Sequence, residues 1–158
     1  MRILSAAVMA AMAFLAGCKQ APGGQAPVTV AEAGQIAAAA EASFTSGDLG
    51  KIMDHYADDA VMIDASKPDP SADRKVSTEL AKGFVSMKPA DYHVIGRHIQ
   101  LIGPDAFVSS GVEQFTVAAE TARPTVSARF TDVFQRTGSK WKIVHEHVSM
   151  PPTPEAHP

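Results

Sequence analysis

Apolar positions in the first half of the chain recur with the period of a helix, and in the second half with the period of a strand. Thr29-Val30-Ala31-Glu32 has the spacing of a capping box. Behind it Ala33, Ile36, Ala37, Ala40 and Phe44 form one stripe, which predicts a first helix through about Ser46. After the Gly47–Gly50 turn, Leu49, Ile52, Met53 and Tyr56 fall at i, i+3, i+4 and i+7, a short second helix with Asp48 as its N-cap. Asp58 and Asp59 end it, and Val61-Met62-Ile63 begins a buried strand that closes in Asp64. A third helix runs from about Ala72, carrying Val76, Leu80 and Phe84, and Pro89 stops it.

Beyond Pro89 the pattern becomes that of strands: Tyr92–Ile102, Ala106–Ala119, Thr125–Thr137 and Trp141–Ser149. The breaks between them are Gly103-Pro104-Asp105, Arg123-Pro124 and Thr137-Gly138-Ser139-Lys140. Hairpin-length connections imply an antiparallel sheet with the helices gathered on one side. The expected class is α+β, a curved antiparallel sheet wrapped around three N-terminal helices.

The ends read differently. Arg2, the apolar run Ile3–Leu15 and Leu15-Ala16-Gly17-Cys18 have the form of a targeting segment, its run shorter than the roughly 20 residues that span a bilayer as a helix. Leu15 to Cys18 resembles a bacterial lipobox, which implies cleavage before Cys18 and acylation of that residue. Cys18 is the only cysteine, so no intrachain disulfide competes for it. The expected organisation is a lipoprotein signal peptide at 1–17, a tether at 18–28 starting with lipidated Cys18, one domain at 29–150 and a proline-rich tail at 151–158. The expected location is the bacterial cell envelope; by resemblance to enterobacterial lipoprotein sorting, Lys19 after the cysteine implies the outer membrane, facing the periplasm. The formal net charge of −3, without a basic run, argues against nucleic acid as a partner.

Candidate chemistry lies in carboxylates set among apolar residues. Val126, Ala128, Phe130, Asp132 and Phe134 alternate onto one strand face, and Val144, Glu146 and Val148 onto another. One bulge would reverse the latter register. A carboxyl group in such company has its pKa raised, because burial disfavours the charged form. Trp141, Ile143, His145 and His147, with Thr131 and Val133, would form the outer face and suit a homodimer contact. His145 and His147 share a strand face but lack further ligands at a metal spacing, so no metal and no other cofactor is expected.

The order of elements, GDLGKIMDHYADDAVMIDA and FTDVFQRTGSKWKIVHEHVS resemble the nuclear transport factor 2-like superfamily, in particular SnoaL-like domains, ketosteroid isomerases and the association domain of calcium/calmodulin-dependent protein kinase II. The resemblance implies a cone with an apolar cavity between sheet and helices, and pairing through the outer sheet face. It also implies residue roles: Asp64 as catalytic base, Tyr56 as a supporting tyrosine and Asp132 as an oxyanion donor. Ala40 stands where the isomerases carry their principal oxyanion tyrosine. Phe130, Phe134, Glu146 and Val148 are the expected ligand contacts. The expected function is an exported lipoprotein that binds a small, mostly apolar molecule. It either acts on that molecule by isomerase-like acid–base chemistry or serves as a non-catalytic dimeric binding or assembly module.

Overall fold

The computed structural model describes residues 25–151. The signal peptide, Cys18, most of the tether and most of the proline-rich tail lie outside them. The order is α1 (Val30–Phe44), α2 (Leu49–Asp54), β1 (Tyr56–Ile63), α3 (Arg74–Ser86), β2 (Ala90–Gly103), β3 (Ala106–Thr116), β4 (Thr125–Thr137) and β5 (Lys140–Ser149). The strands form one sheet in the order β1-β5-β4-β3-β2. This is the expected α+β architecture with one correction. β1 lies parallel to β5, so the sheet is mixed, and only β2 to β5 make the antiparallel run. The α3 crossover and three long strands separate β1 from β5, so no hairpin constrains their direction.

Each helix starts at a residue suited to the task. Thr29 Oγ1 accepts from the Glu32 amide at 3.2 Å and Glu32 accepts from the Thr29 amide at 2.9 Å, closing the capping box. Asp48 caps α2 and Asp73 caps α3. The buried side of α1 carries Ala33, Ala37 and Ala40, small enough to bring the helix backbone close to the sheet. Tyr56 is the first residue of β1 and does not extend α2, which ends at Asp54 with His55 as its C-cap. Asp58 and Asp59 lie exposed on β1, which begins five residues earlier than Val61, the start read from the pattern.

Arg74 ties the helices to the sheet edge. Its guanidinium donates to the carbonyls of Met53 at 2.9 Å and Ala57 at 3.1 Å, on either side of the α2–β1 junction. Arg74→Met keeps the length of the side chain but leaves those carbonyls unpartnered, so a loss of about 2 kcal/mol is expected in urea unfolding. A loss below the error of that measurement would mean that water takes over both contacts.

The sheet bends where two glycines let it. Gly96 has φ +62, and with Arg97 it stands opposite Gly111 alone, a bulge in β2. At Gly111 a Cβ would come within 3.2 Å of the Ile95 carbonyl oxygen and of the Phe130 ring. One end of the sheet is closed by Phe107 stacked on Phe134 at 4.6 Å between ring centroids, with Trp141 tilted against Phe107 at 5.2 Å. The other end holds an edge-to-face cluster of Phe44, Phe84 and Phe115, on which Tyr92 stacks. Between the two ends the interior is hollow.

Two expectations about β5 are corrected here. Phe134 pairs with Ile143 but Val133 pairs with His145, so Val144 is an extra residue without a partner. The bulge reverses the alternation, as one inserted residue must. Ile143 is therefore fully buried in the core, and Trp141 packs against the same core, instead of lying on the outer face. Val144 drops out of the inward set, while Glu146 and Val148 keep their inward positions. His145 and His147 stay level with Val133 and Thr131.

Candidate active site

The hollow has a volume of about 410 Å³. Its walls are Phe44, Leu80, Phe84, Phe115, Val126, Phe130 and Val148, and Met87 and Met150 stand at the exposed rim. Asp64, Glu113, Asp132 and Glu146 bring carboxyl groups to it from the ends or middles of four strands. Among the described residues no lysine, arginine or histidine lines it.

Asp132 is 5% exposed, between Phe130 and Phe134 along β4. Across the sheet it faces Ser109 on one side and Glu146 on the other. Its Oδ1 is buried and has no hydrogen-bond partner. Burial, followed by the proximity of Glu146, pushes this carboxyl well above the ordinary aspartate range. Burial likewise raises Glu146 to about 7, against the opposing effect of the Tyr56 hydroxyl, which donates a short hydrogen bond to it. Tyr56 is held far above the usual phenol range, chiefly by burial and then by Glu146, so it stays a donor.

A second pair repeats this arrangement. The Tyr92 hydroxyl donates to Glu113 Oε2 at 2.7 Å. Glu113 is raised by burial, and Tyr92 is raised as well, by burial first and then by Glu113. Neither residue had been singled out from the sequence. A signal was present: Phe107, Ser109, Glu113 and Phe115 alternate on one face of β3, the buried face. Reading β3 only as a long strand, without separating its faces, passes over it.

The residues read from the sequence divide into three groups. Asp132, Tyr56, Glu146, Phe130 and Val148 converge on the hollow, as does Asp64 at its mouth. Asp64 also caps the turn that follows it, accepting from the Ser66 amide at 2.7 Å. Phe134 does not line the hollow; it is locked against Phe107 in the closed end, a correction to its expected role as a ligand contact. Ala40 is buried under α1 and contributes no polar group.

Comparison with known proteins agrees with this geometry. A family described as SnoaL-like domain matches residues 34–153. The chain belongs to the SnoaL-like domain family. Among solved structures, this SnoaL-like domain is similar to a Xanthomonas campestris chain named as a candidate calcium/calmodulin dependent protein kinase II association domain. The two share 27% identity and a TM-score of 0.70, over 79% of this chain and 88% of that one. It is also similar to a nuclear transport factor 2-like protein of unknown function from Pseudomonas putida KT2440, with 20% identity and a TM-score of 0.66 over 79% and 88% of the two chains. A third, from Streptomyces avermitilis, named as a candidate dehydratase of the same superfamily, has 15% identity and a TM-score of 0.68 over 78% and 96%. No curated protein matches the chain. The last two likenesses establish the cone fold alone.

Proposed function

We propose that the protein is a lipid-anchored envelope protein whose cone binds a small, mostly apolar molecule. The observation that carries this reading is a closed-ended hollow with aromatic walls and a buried, unpartnered carboxyl oxygen inside it. A ligand that donates to this oxygen would relieve the roughly 1–3 kcal/mol cost of an unpartnered polar atom, and the aromatic walls suit the rest of a small molecule. The lipobox-like Leu15–Cys18 supports the anchor, since more than one acyl chain on Cys18 would hold the protein at a membrane. Apolar ligands of naphthalene size are expected to raise the melting temperature of the full chain. Absence of any shift at saturating concentrations would remove this reading.

Two specific observations favour acid–base turnover as a second reading. Asp64 and Asp132 line the same hollow at different depths, and burial keeps a proton on the deeper one. Asp64 would remove a proton alpha to a carbonyl, and Asp132 would donate to the oxygen where charge develops, with Tyr56 behind it through Glu146. Asp64→Asn is expected to abolish isomerisation of a β,γ-unsaturated ketone. Asp132→Asn is expected to lower kcat by roughly 10²- to 10³-fold, the cost of one oxyanion donor. Equal turnover by the Asp64→Asn protein would leave binding without chemistry, the reading that Ala40 supports. Pairing of two copies fits the outer sheet face, where Ile95 is 47% exposed and Thr131, Val133, His145 and His147 lie together. The association-domain likeness supports it too.

A further inference from the structure

The polar end of the cavity is built for a ligand of one particular charge. We infer that its occupant is an organic ammonium ion, a positively charged nitrogen carried on an apolar, ring-sized body. This rests on the reading of the hollow as a small-molecule site and narrows the class of molecule that enters it.

The placement of hydrogen-bond donors around the hollow decides the charge of its occupant. A neutral ligand that accepts hydrogen bonds, such as a ketone, needs O–H or N–H groups aimed at its oxygen. The hollow has two phenols beside it, and both are already committed: Tyr56 donates to Glu146 and Tyr92 donates to Glu113. A phenol that donates to a carboxyl group favours that group's ionised form. Ala40, buried on the sheet-facing side of α1, adds no hydroxyl. Once its acids have lost their protons, the cavity therefore offers a ligand many acceptors and almost no donors.

The acceptors are also gathered from independent parts of the chain. Asp132 belongs to β4, Glu146 to β5 and Glu113 to β3, with Asp64 at the end of β1. Asp132 Oδ1, between the two phenol-supported glutamates in the sheet, is buried and has no donor at all. Arg97 acts on Asp132 from outside the lining: its guanidinium donates to Glu41 and to Ser109, the neighbour of Asp132 across the sheet, and it is not among the residues that line the hollow. An ammonium group carries several N–H donors and one full charge, which matches three converging carboxyls better than any neutral group can. Phe44, Phe84, Phe115 and Phe130 line the rest, so the faces that enclose an apolar body also suit a cation.

The consequence is a pH dependence of opposite sign for cations and for neutral acceptors. The groups that face the site are Asp64, Glu113, Asp132 and Glu146, with Tyr56 and Tyr92 behind the glutamates and the Glu41–Arg97 pair beyond. An ammonium ion binds the ionised set, so its affinity rises as the pH passes upward through the range in which these acids lose their protons. A ketone binds a protonated acid, so its affinity falls over the same range.

The test uses three probes with one body: 1-naphthylmethylamine, 1-naphthylmethanol and 1-acetylnaphthalene, titrated calorimetrically into the full chain near pH 5 and near pH 8. The amine is expected to bind about tenfold or more tightly than the alcohol at the higher pH, the scale of a charge-assisted contact. That preference should shrink severalfold at the lower pH. Asp132→Asn, which keeps the shape of the side chain, is expected to reduce the amine-to-alcohol affinity ratio about tenfold. Glu146→Gln provides an independent variant should the first fail to fold. Equal affinities for amine and alcohol at both pH values, or a ketone that binds more tightly than the amine, would overturn the ammonium assignment while leaving the cavity as an apolar binding site. Failure of all three probes to bind would count against the cavity reading itself.

Discussion

Raising the pH from about 5 to about 8 is expected to destabilise the folded domain by about 3 kcal/mol. The cause is the set of acids around the hollow. Burial raises Asp132 and Glu113 above their ordinary values and takes Glu146 from 4.5 to about 7. Between the unfolded and folded values the native state holds protons that the unfolded chain has released. Stability therefore falls as pH rises through that window and levels off above it. His55 acts the other way, since burial lowers it and protonation of the unfolded chain favours unfolding at low pH. It is a single, half-buried group, so the coupled acids outweigh it. Glu32 and Asp54 are held below the ordinary range by Thr29 and Lys142, so their contribution is lost only at still lower pH. The result is a maximum near pH 5, which urea unfolding at several pH values reads directly. Glu146→Gln and Asp132→Asn should each flatten the descending limb and raise stability at the higher pH. A wild-type curve that is flat or rises from about 5 to about 8 would mean that these carboxyls ionise without cost, with water filling the hollow.

Arg97→Met is expected to cost roughly 3–5 kcal/mol, the usual penalty for leaving a buried charge without its partner. Arg97 reaches inward from the β2 bulge to form a close ion pair with Glu41 on α1, and donates to Ser109 Oγ at 2.9 Å. Glu41 is 8% exposed, and its Oε1 has no partner even in the intact pair. Removing the guanidinium strands the carboxylate beneath α1. Replacing both residues, Glu41→Leu with Arg97→Met, should recover most of the loss, because an apolar pair of similar volume avoids the desolvation of both charges. Additive losses in the double variant would show that the arginine acts through packing of its stem and not through the charge. Ligand titrations on the double variant then ask whether the pair also sets the field at the acid cluster.

Much of the architecture was legible in the residues because it depends on local periodicity. The capping box at Thr29 to Glu32, the alanine stripe of α1 and the strand runs after Pro89 all formed where the pattern placed them. Asp132 and Glu146 could be placed among apolar neighbours, since alternation holds along β4 and in β5 from His145 onward. The misread parts share one cause. The Val144 bulge shifts Trp141 and Ile143 inward, and β1 starts at Tyr56 in place of a longer α2. In both places one residue's conformation depends on a partner strand distant in sequence. Glu113, Tyr92, Glu41 and Arg97 were passed over for a related reason: each is polar, and only long-range pairing takes it out of water.

The chain by itself determined the kinds of element, their order, the acidic character of the candidate site and the membership in a cone-forming family, because these follow from spacing, propensity and motif. Tertiary structure decided which acids meet, which phenols are already engaged by them, and that Asp132 retains an oxygen without a partner. Those outcomes depend on strand register and on the distance between side chains some 20 to 90 positions apart, as in the Tyr92–Glu113 and Tyr56–Glu146 bonds. Local pattern carries no information about such distances; packing sets them.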